Sequence, residues 1–445
     1  MRTTPATVVK RLRPLQLAAI IFLTVSGGPY GLEPLLFYVG KGGALLLLMI
    51  VPLLWDMPTI FTVLELNSMM PVNGGYYQWV KRAMGKRWAL YEGWWTWLYT
   101  FVDLAIYPVL FVVYASFLFP GILPYKVPIC LAIIWISAAF NIIGIVPVGK
   151  ISMVLTAIVL IPFIIFFVIG FTHHTGPISL GNFSLKGIGF TSIGMGLYTV
   201  MWNFMGWDNT TTYAEEVDKP IRSYLISVLI AFAIVFIIYF VTIIIAQNSG
   251  IDFGDLMNDG FPALGALLGG HWLGVLLSIG GMASTLGLFS AVLLSVSRVP
   301  KVMADDKLLS PKLSALHPKF NTPYVSIIIC AVVVSVMILW SFTDLLIIDV
   351  TLYGAALSLE FISLIVLRIK APDEHRPFKI PLNIVGLCLM TLLPLCVYCV
   401  ALAAAFSTSG TSLKPAIFAV VTLLSAEVVW RIIVWKNPVI AKDPL

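Results

Sequence analysis

Two membrane-length apolar segments of this chain are broken at mid-depth, the first by Ser26-Gly27-Gly28-Pro29-Tyr30-Gly31 and the sixth by Trp202-Asn203-Phe204-Met205-Gly206. Lipid offers no hydrogen-bond partner to backbone N–H and C=O groups, so an interruption at that depth persists only where it lines a protein cavity or a bound solute. In the first break Gly27 and Gly28 allow close backbone approach, Pro29 removes a donor and stops the helix, and Gly31 frees the start of the outer half. Amides released there suit a carboxylate, and carbonyls released on the inner half suit an ammonium or another cation.

A chain of 445 residues with 60% hydrophobic and 11% charged residues and a mean hydropathy of +0.99 is too apolar for a soluble globule. Runs of about 20 apolar residues give twelve expected transmembrane helices: 15–39, 42–68, 88–119, 127–145, 149–172, 188–216, 221–247, 271–300, 323–341, 345–369, 381–406 and 413–435. The expected fold class is an all-α integral membrane protein. A polar start without a cleavage site marks the first helix as retained. The tails, 1–14 and 436–445, are short.

Of the 27 Lys and Arg residues, all but Lys41, Lys126, Lys186 and Lys414 fall on one side if both termini are cytoplasmic. That satisfies the positive-inside rule for a multi-pass protein of a plasma or inner membrane. The net charge of +6 is then an insertion signal, and nucleic acid is not an expected partner. Cys130, Cys330, Cys388, Cys396 and Cys399 all lie in apolar segments, without a disulfide or metal framework.

Helices one to five (15–172) and six to ten (188–370) form two units related by an odd number of crossings, so the second inserts upside down. Broken helices 1 and 6 then face one another, the layout of inverted-repeat transporters with a midplane site and alternating access. Helices 11 and 12 (381–435) are accessory. The stretch Asn73–Arg82 is too short to span, and its aromatic and basic residues suit a helix at the cytoplasmic interface.

Burying charge in lipid is costly enough to make function the default reading of an intramembrane acid. The candidate acids in the expected helices are Glu33, Asp56, Glu65, Asp103, Asp208, Glu360 and Glu427, and no Lys or Arg sits at mid-depth to neutralise them. This imbalance calls for an entering cation. Asp103 stands one turn before Tyr107, so the two side chains share a face. Trp202 and Trp207 offer cation–π faces, Asn203 a donor and an acceptor, and Asp208 either a helix cap or a charge for the site. Glu65, beside the basic loop, reads as an ion-pair partner, and Glu427 as structural. The candidate substrate-binding set is Ser26, Gly27, Gly28, Gly31, Glu33, Asp103, Tyr107, Trp202, Asn203, Trp207 and Asp208, with Asp208 and Asp103 as candidate proton-coupling groups.

Six stretches in order, SGGPYGLE at 26–33, VNGGYYQWV at 72–80, DLAIYPVLF at 103–111, WNFMGWD at 202–208, AEEVDKP at 214–220 and LEFISLIVLRIKAPDEHRPFKIPL at 359–382, resemble the amino acid-polyamine-organocation superfamily. Within it they are most similar to the polyamine:proton symporter branch that includes plant polyamine uptake transporters. The resemblance implies two inverted five-helix repeats plus two helices, and proton-coupled uptake of organic cations or amino acids. Where many plant relatives carry a glutamate in the second helix this chain has Thr59, with Asp56 one turn earlier beside Trp55. Some bacterial proton-coupled carriers of the superfamily place a lysine in the fifth helix, but Ile151–Gly170 has none, so a coupling proton must ride on a carboxylate.

The reading that follows is import of polyamines or cationic amino acids by proton symport, and the alternative is a neutral amino acid symporter or exchanger. No cofactor is expected. Sodium, held by Ser284, Thr285 and carbonyls of the first break, is a secondary possibility for the coupling ion. His173 and His174 read as solvated loop residues, and His271, His317 and His375 are scattered, so neither a metal site nor an enzyme is expected. No added domain supports a receptor, and no obvious cysteine supports an obligate partner subunit.

Overall fold

The computed structural model describes residues 12–172, 177–407 and 414–438. His173, His174 and most of the two tails lie outside the described residues. In chain order the helices are α1 Pro14–Val25, α2 Glu33–Val51, α3 Met57–Met69, α4 Gly75–Met84, α5 Lys86–Leu118, α6 Lys126–Ile143, α7 Ile145–Thr172 and α8 Phe190–Asn203. They continue with α9 Pro220–Asn248, α10 Phe253–Gly269, α11 His271–Val296, α12 Arg298–Asp305, α13 Tyr324–Met337, α14 Phe342–Lys370, α15 Ile384–Phe406 and α16 Lys414–Lys436. Among the described residues the regular structure is helical, apart from one isolated bridge between Leu12 and Val217.

Among the described residues nine helical stretches are long and apolar enough to cross a membrane, and α1 and α13 are shorter apolar helices. The expected boundary at 39–42 is a kink inside α2, at Gly40, whose φ of +66° leaves the helix path. From there the chain runs through a π-helical turn, Pro52–Asp56, into α3. The first break falls between α1 and α2 where the sequence places it.

The expected sixth helix, 188–216, differs more. Its first half is α8, but its second half is a 3₁₀ segment, Asn209–Glu216, that departs from helical geometry at Tyr213. Thr211 Oγ1 donates to the Asp208 carbonyl at 2.6 Å and Thr212 Oγ1 to that of Asn209 at 2.9 Å. Side-chain hydroxyls that occupy nearby carbonyls compete with the α-helical ladder, and a threonine run does so repeatedly.

Helix α5 packs against both α11 and α14, and α1 packs against α7, α9 and α11. The two breaks therefore lie within the protein, away from lipid. Helix α4 forms where expected, but Tyr76, Tyr77 and Trp79 are fully buried between protein elements and do not face an interface. Tyr77 donates to Asp306 at 2.6 Å, and Lys81 pairs with the same carboxylate at 2.6 Å. Burial and that charge hold the Tyr77 hydroxyl well above its ordinary pKa, so it stays a donor.

Candidate functional site

The break in α1–α2 and the break after α8 meet at a narrow cavity. Ser26, Asp103, Tyr107, Trp202 and Asn203, five of the sequence candidates, line it. Thr24, Tyr99, Asn209 and Tyr353 complete the polar part of the wall.

Asp103 is the charged group of this wall. Tyr107 Oη lies 2.6 Å from both its carboxylate oxygens, as the one-turn spacing leads one to expect, and Trp202 Nε1 donates to Oδ1 at 3.3 Å. The Trp202 ring lies between Tyr107, 6.3 Å away by centroids, and Phe342, 5.9 Å away. Gly31 seats that ring: a Cβ there would stand 2.4 Å from its Cζ3. Asn203 Nδ2 bonds back to the Thr199 carbonyl at 2.8 Å, while its Oδ1 has no partner in the protein. A buried acceptor left free beside a carboxylate suits an arriving N–H donor.

The other candidates are placed elsewhere. Gly27 and Gly28 permit close packing, with a Cβ on Gly27 reaching 2.5 Å from Ser284 Oγ and one on Gly28 reaching 2.8 Å from Val159. Glu33 does not line the cavity; its carboxylate accepts from the Gly31 N–H at 2.5 Å and from Tyr114 at 3.0 Å, which satisfies the first break from within. Trp207 turns away, packs on Phe232 and donates to Asp56 at 3.3 Å, so its ring is not available as a cation–π face here.

Asp208 sits behind the wall. It makes no side-chain N-cap hydrogen bond to the 3₁₀ segment it precedes. Instead Tyr353 donates to its Oδ1 at 2.8 Å, and Tyr353 Oη accepts from the Gly206 N–H at 3.4 Å. One tyrosine thus ties the second break, the cavity and this acid together. Glu360 adjoins Asp208 from α14.

The remaining acids divide cleanly. Glu65, fully buried, is held by Arg368 and by Arg376 at 3.3 Å, with the Ile380 N–H at 2.8 Å, and is structural as the sequence suggested. Glu427 pairs with Arg87 and Arg431, both at 2.7 Å. Two buried acids escaped the sequence census, Glu92 on α5 and Asp349 on α14. Thr285 bonds back to its own helix, whereas Ser284 Oγ has no partner in the protein.

The model of the amino acid permease family matches residues 12–426. Polyamine transporter RMV1 of Arabidopsis thaliana is 31% identical over 401 residues, covering 88% of this chain and 81% of that protein. Polyamine transporter PUT1 of Oryza sativa subsp. japonica is 30% identical, covering 85% of this chain and 71% of its own length. The serine/threonine exchanger SteT of Bacillus subtilis is 26% identical, covering 72% and 74%.

Proposed function

We propose that this chain, which belongs to the amino acid permease family, imports polyamines or cationic amino acids by proton symport. That membership and its apolar helices make it a multi-pass membrane transport protein. The observation that carries the finer reading is Asp103: a buried carboxylate on the wall of a cavity between two helix breaks, held by hydroxyl and indole donors and by no cation among the described residues. Such a group welcomes an ammonium, and Trp202 and Tyr107 supply aromatic faces for it. Relatives named as polyamine transporters support the same substrate class.

In this reading the chain has twelve transmembrane helices in two inverted five-helix repeats, helices 1 and 6 broken, with both termini cytoplasmic. Alternating access exposes the cavity to each side in turn. Asp103 takes the amine and Asp208, behind Tyr353, holds the coupling proton. The serine/threonine exchanger among the similar proteins favours one alternative, a neutral amino acid carrier whose substrate carboxylate meets the first break.

Purified protein in proteoliposomes, given an inward pH gradient and labelled putrescine, spermidine, arginine, leucine or serine, tests this. The expected result is accumulation of the amines above equilibrium, abolished by a protonophore. Uptake of leucine or serine, with polyamines neither entering nor competing, would overturn it.

A further inference from the structure

Helices α5 and α14 carry the same residues in mirrored order. On α5, Glu92, Tyr99 and Asp103 follow at intervals of seven and four; on α14, Asp349, Tyr353 and Glu360 follow at intervals of four and seven. Both spacings keep the three side chains on one helix face. The helices pack together, and the rings of Tyr99 and Tyr353 meet at 5.3 Å. Asp349 lies near Asp103, and Glu360 near Glu92, so the helices run antiparallel and the acids gather at two poles. Asp208 joins the second pole.

Both poles have polar groups left open. Neither carboxylate oxygen of Asp349, a residue with 0% exposure, has a partner in the protein. One oxygen each of Glu92 and Glu360 is likewise unpartnered. Independently of the acids, the buried Tyr76 hydroxyl from α4 is also unpartnered and faces Glu92, Asp208 and Glu360. None of these five carboxyls forms an ion pair among the described residues, whereas Glu65 in the same protein is met by two arginines. A buried acid kept for structure is neutralised in place, and carboxyls crowded without a cation cannot all bear charge.

We propose that the cavity is one end of a track for a linear polyamine, with one terminal ammonium at Asp103 and Asp349 and the other at Glu92 and Glu360, beside the proton-carrying Asp208. The proposal rests on the reading of the protein as an amine carrier and adds the length of its preferred substrate. Eleven residues separate the acids on each helix, about 16 Å at 1.5 Å per residue. A hydrogen bond of about 2.8 Å at each end leaves about 11 Å between the nitrogens. An extended chain advances about 1.2 Å per bond, so about nine bonds fit. Tyr99 and Tyr353, in contact with each other between the poles, line one side of the methylene chain and of any inner ammonium.

A ruler of α,ω-diaminoalkanes tests this on the wild-type protein in proteoliposomes, read as competition with labelled spermidine and compared with alkylamines of equal length. Inhibition is expected to peak at about eight methylenes, about tenfold stronger than for about four. Asp349→Asn and Glu92→Gln, one at each pole, are expected to flatten that peak. A curve that is flat, or that rises steadily and in parallel with the monoamines, overturns the track while leaving amine transport intact. Failure of the wild type to carry any polyamine overturns both readings. The wild-type curve decides even if the variants do not fold.

Discussion

Replacing Gly31 by alanine tests how the first break builds the site. Gly31 has a φ of +95°, in the left-handed region, so a side chain there costs about 1–2 kcal/mol of backbone strain. The added Cβ would also stand 2.4 Å from Trp202 Cζ3, against an ordinary contact of 3.4 Å or more. The indole must therefore move by roughly 1 Å, and its hydrogen bond to Asp103, 3.3 Å at rest, breaks. A hydrogen bond to a charged group contributes about 1.5–3 kcal/mol, so spermidine affinity is expected to fall by about tenfold to a hundredfold. Gly40→Ala is the control, because φ is +66° there but nothing lies within 4 Å of the new Cβ; it should carry the backbone strain alone. Spermidine uptake kinetics in proteoliposomes, with thermal stability measured in parallel, separate the two contributions. Equal affinity loss in both variants, or none at Gly31→Ala, would refute the argument that Gly31 positions the indole.

Other outcomes follow from the same geometry. Trp202→Phe should weaken amine binding more than Trp207→Phe, since only Trp202 lines the cavity; competition assays with spermidine read the difference, and equal losses would count against it. Asp208→Asn is expected to abolish pH-driven accumulation while counterflow exchange persists, whereas Asp103→Asn should lose both; the opposite pattern would reverse the roles assigned to the two acids. Glu65→Ala strands the buried Arg368 and Arg376 and should destabilise the protein by about 3–5 kcal/mol. Unfolding in detergent measures this, and a loss below about 1 kcal/mol, the worth of an exposed pair, would contradict it.

The parts of the site legible in the sequence are those where one residue type has one physical use. A glycine-proline run inside an apolar segment breaks a helix, and the first break lies where that run stands. The four-residue step from Asp103 to Tyr107 puts both on one helix face, and the structure joins them at 2.6 Å. Glu65 beside basic residues became an ion pair. What stayed hidden depends on tertiary direction. Nothing local to Trp207 says that its ring turns to Asp56 while that of Trp202, five residues earlier, turns to Asp103. Nor does Glu33 announce that its oxygens are spent on Gly31 and Tyr114.

Glu92 and Asp349 were missed for another reason. Each lies near the start of its apolar helix, where an acid ordinarily faces water, and only packing shows both to be buried. A signal did exist in the eleven-residue acid spacing, with a tyrosine between, repeated in reverse on a second helix. Tyr76, Tyr77 and Trp79 have the composition of an interface belt, yet α4 folds inward and buries them. The second half of the expected sixth helix depended on hydroxyls of Thr211 and Thr212 taking up carbonyls, an effect that apolar periodicity does not register.

The claim that two helix breaks enclose a site for positively charged amines is tested most directly by electron cryomicroscopy of the protein in nanodiscs with spermidine. Elongated density is expected in the cavity between the breaks, with one end within hydrogen-bond distance of the Asp103 carboxylate. Density bound only at a peripheral surface, or a cavity unchanged at saturating spermidine while the protein transports it, would contradict the account.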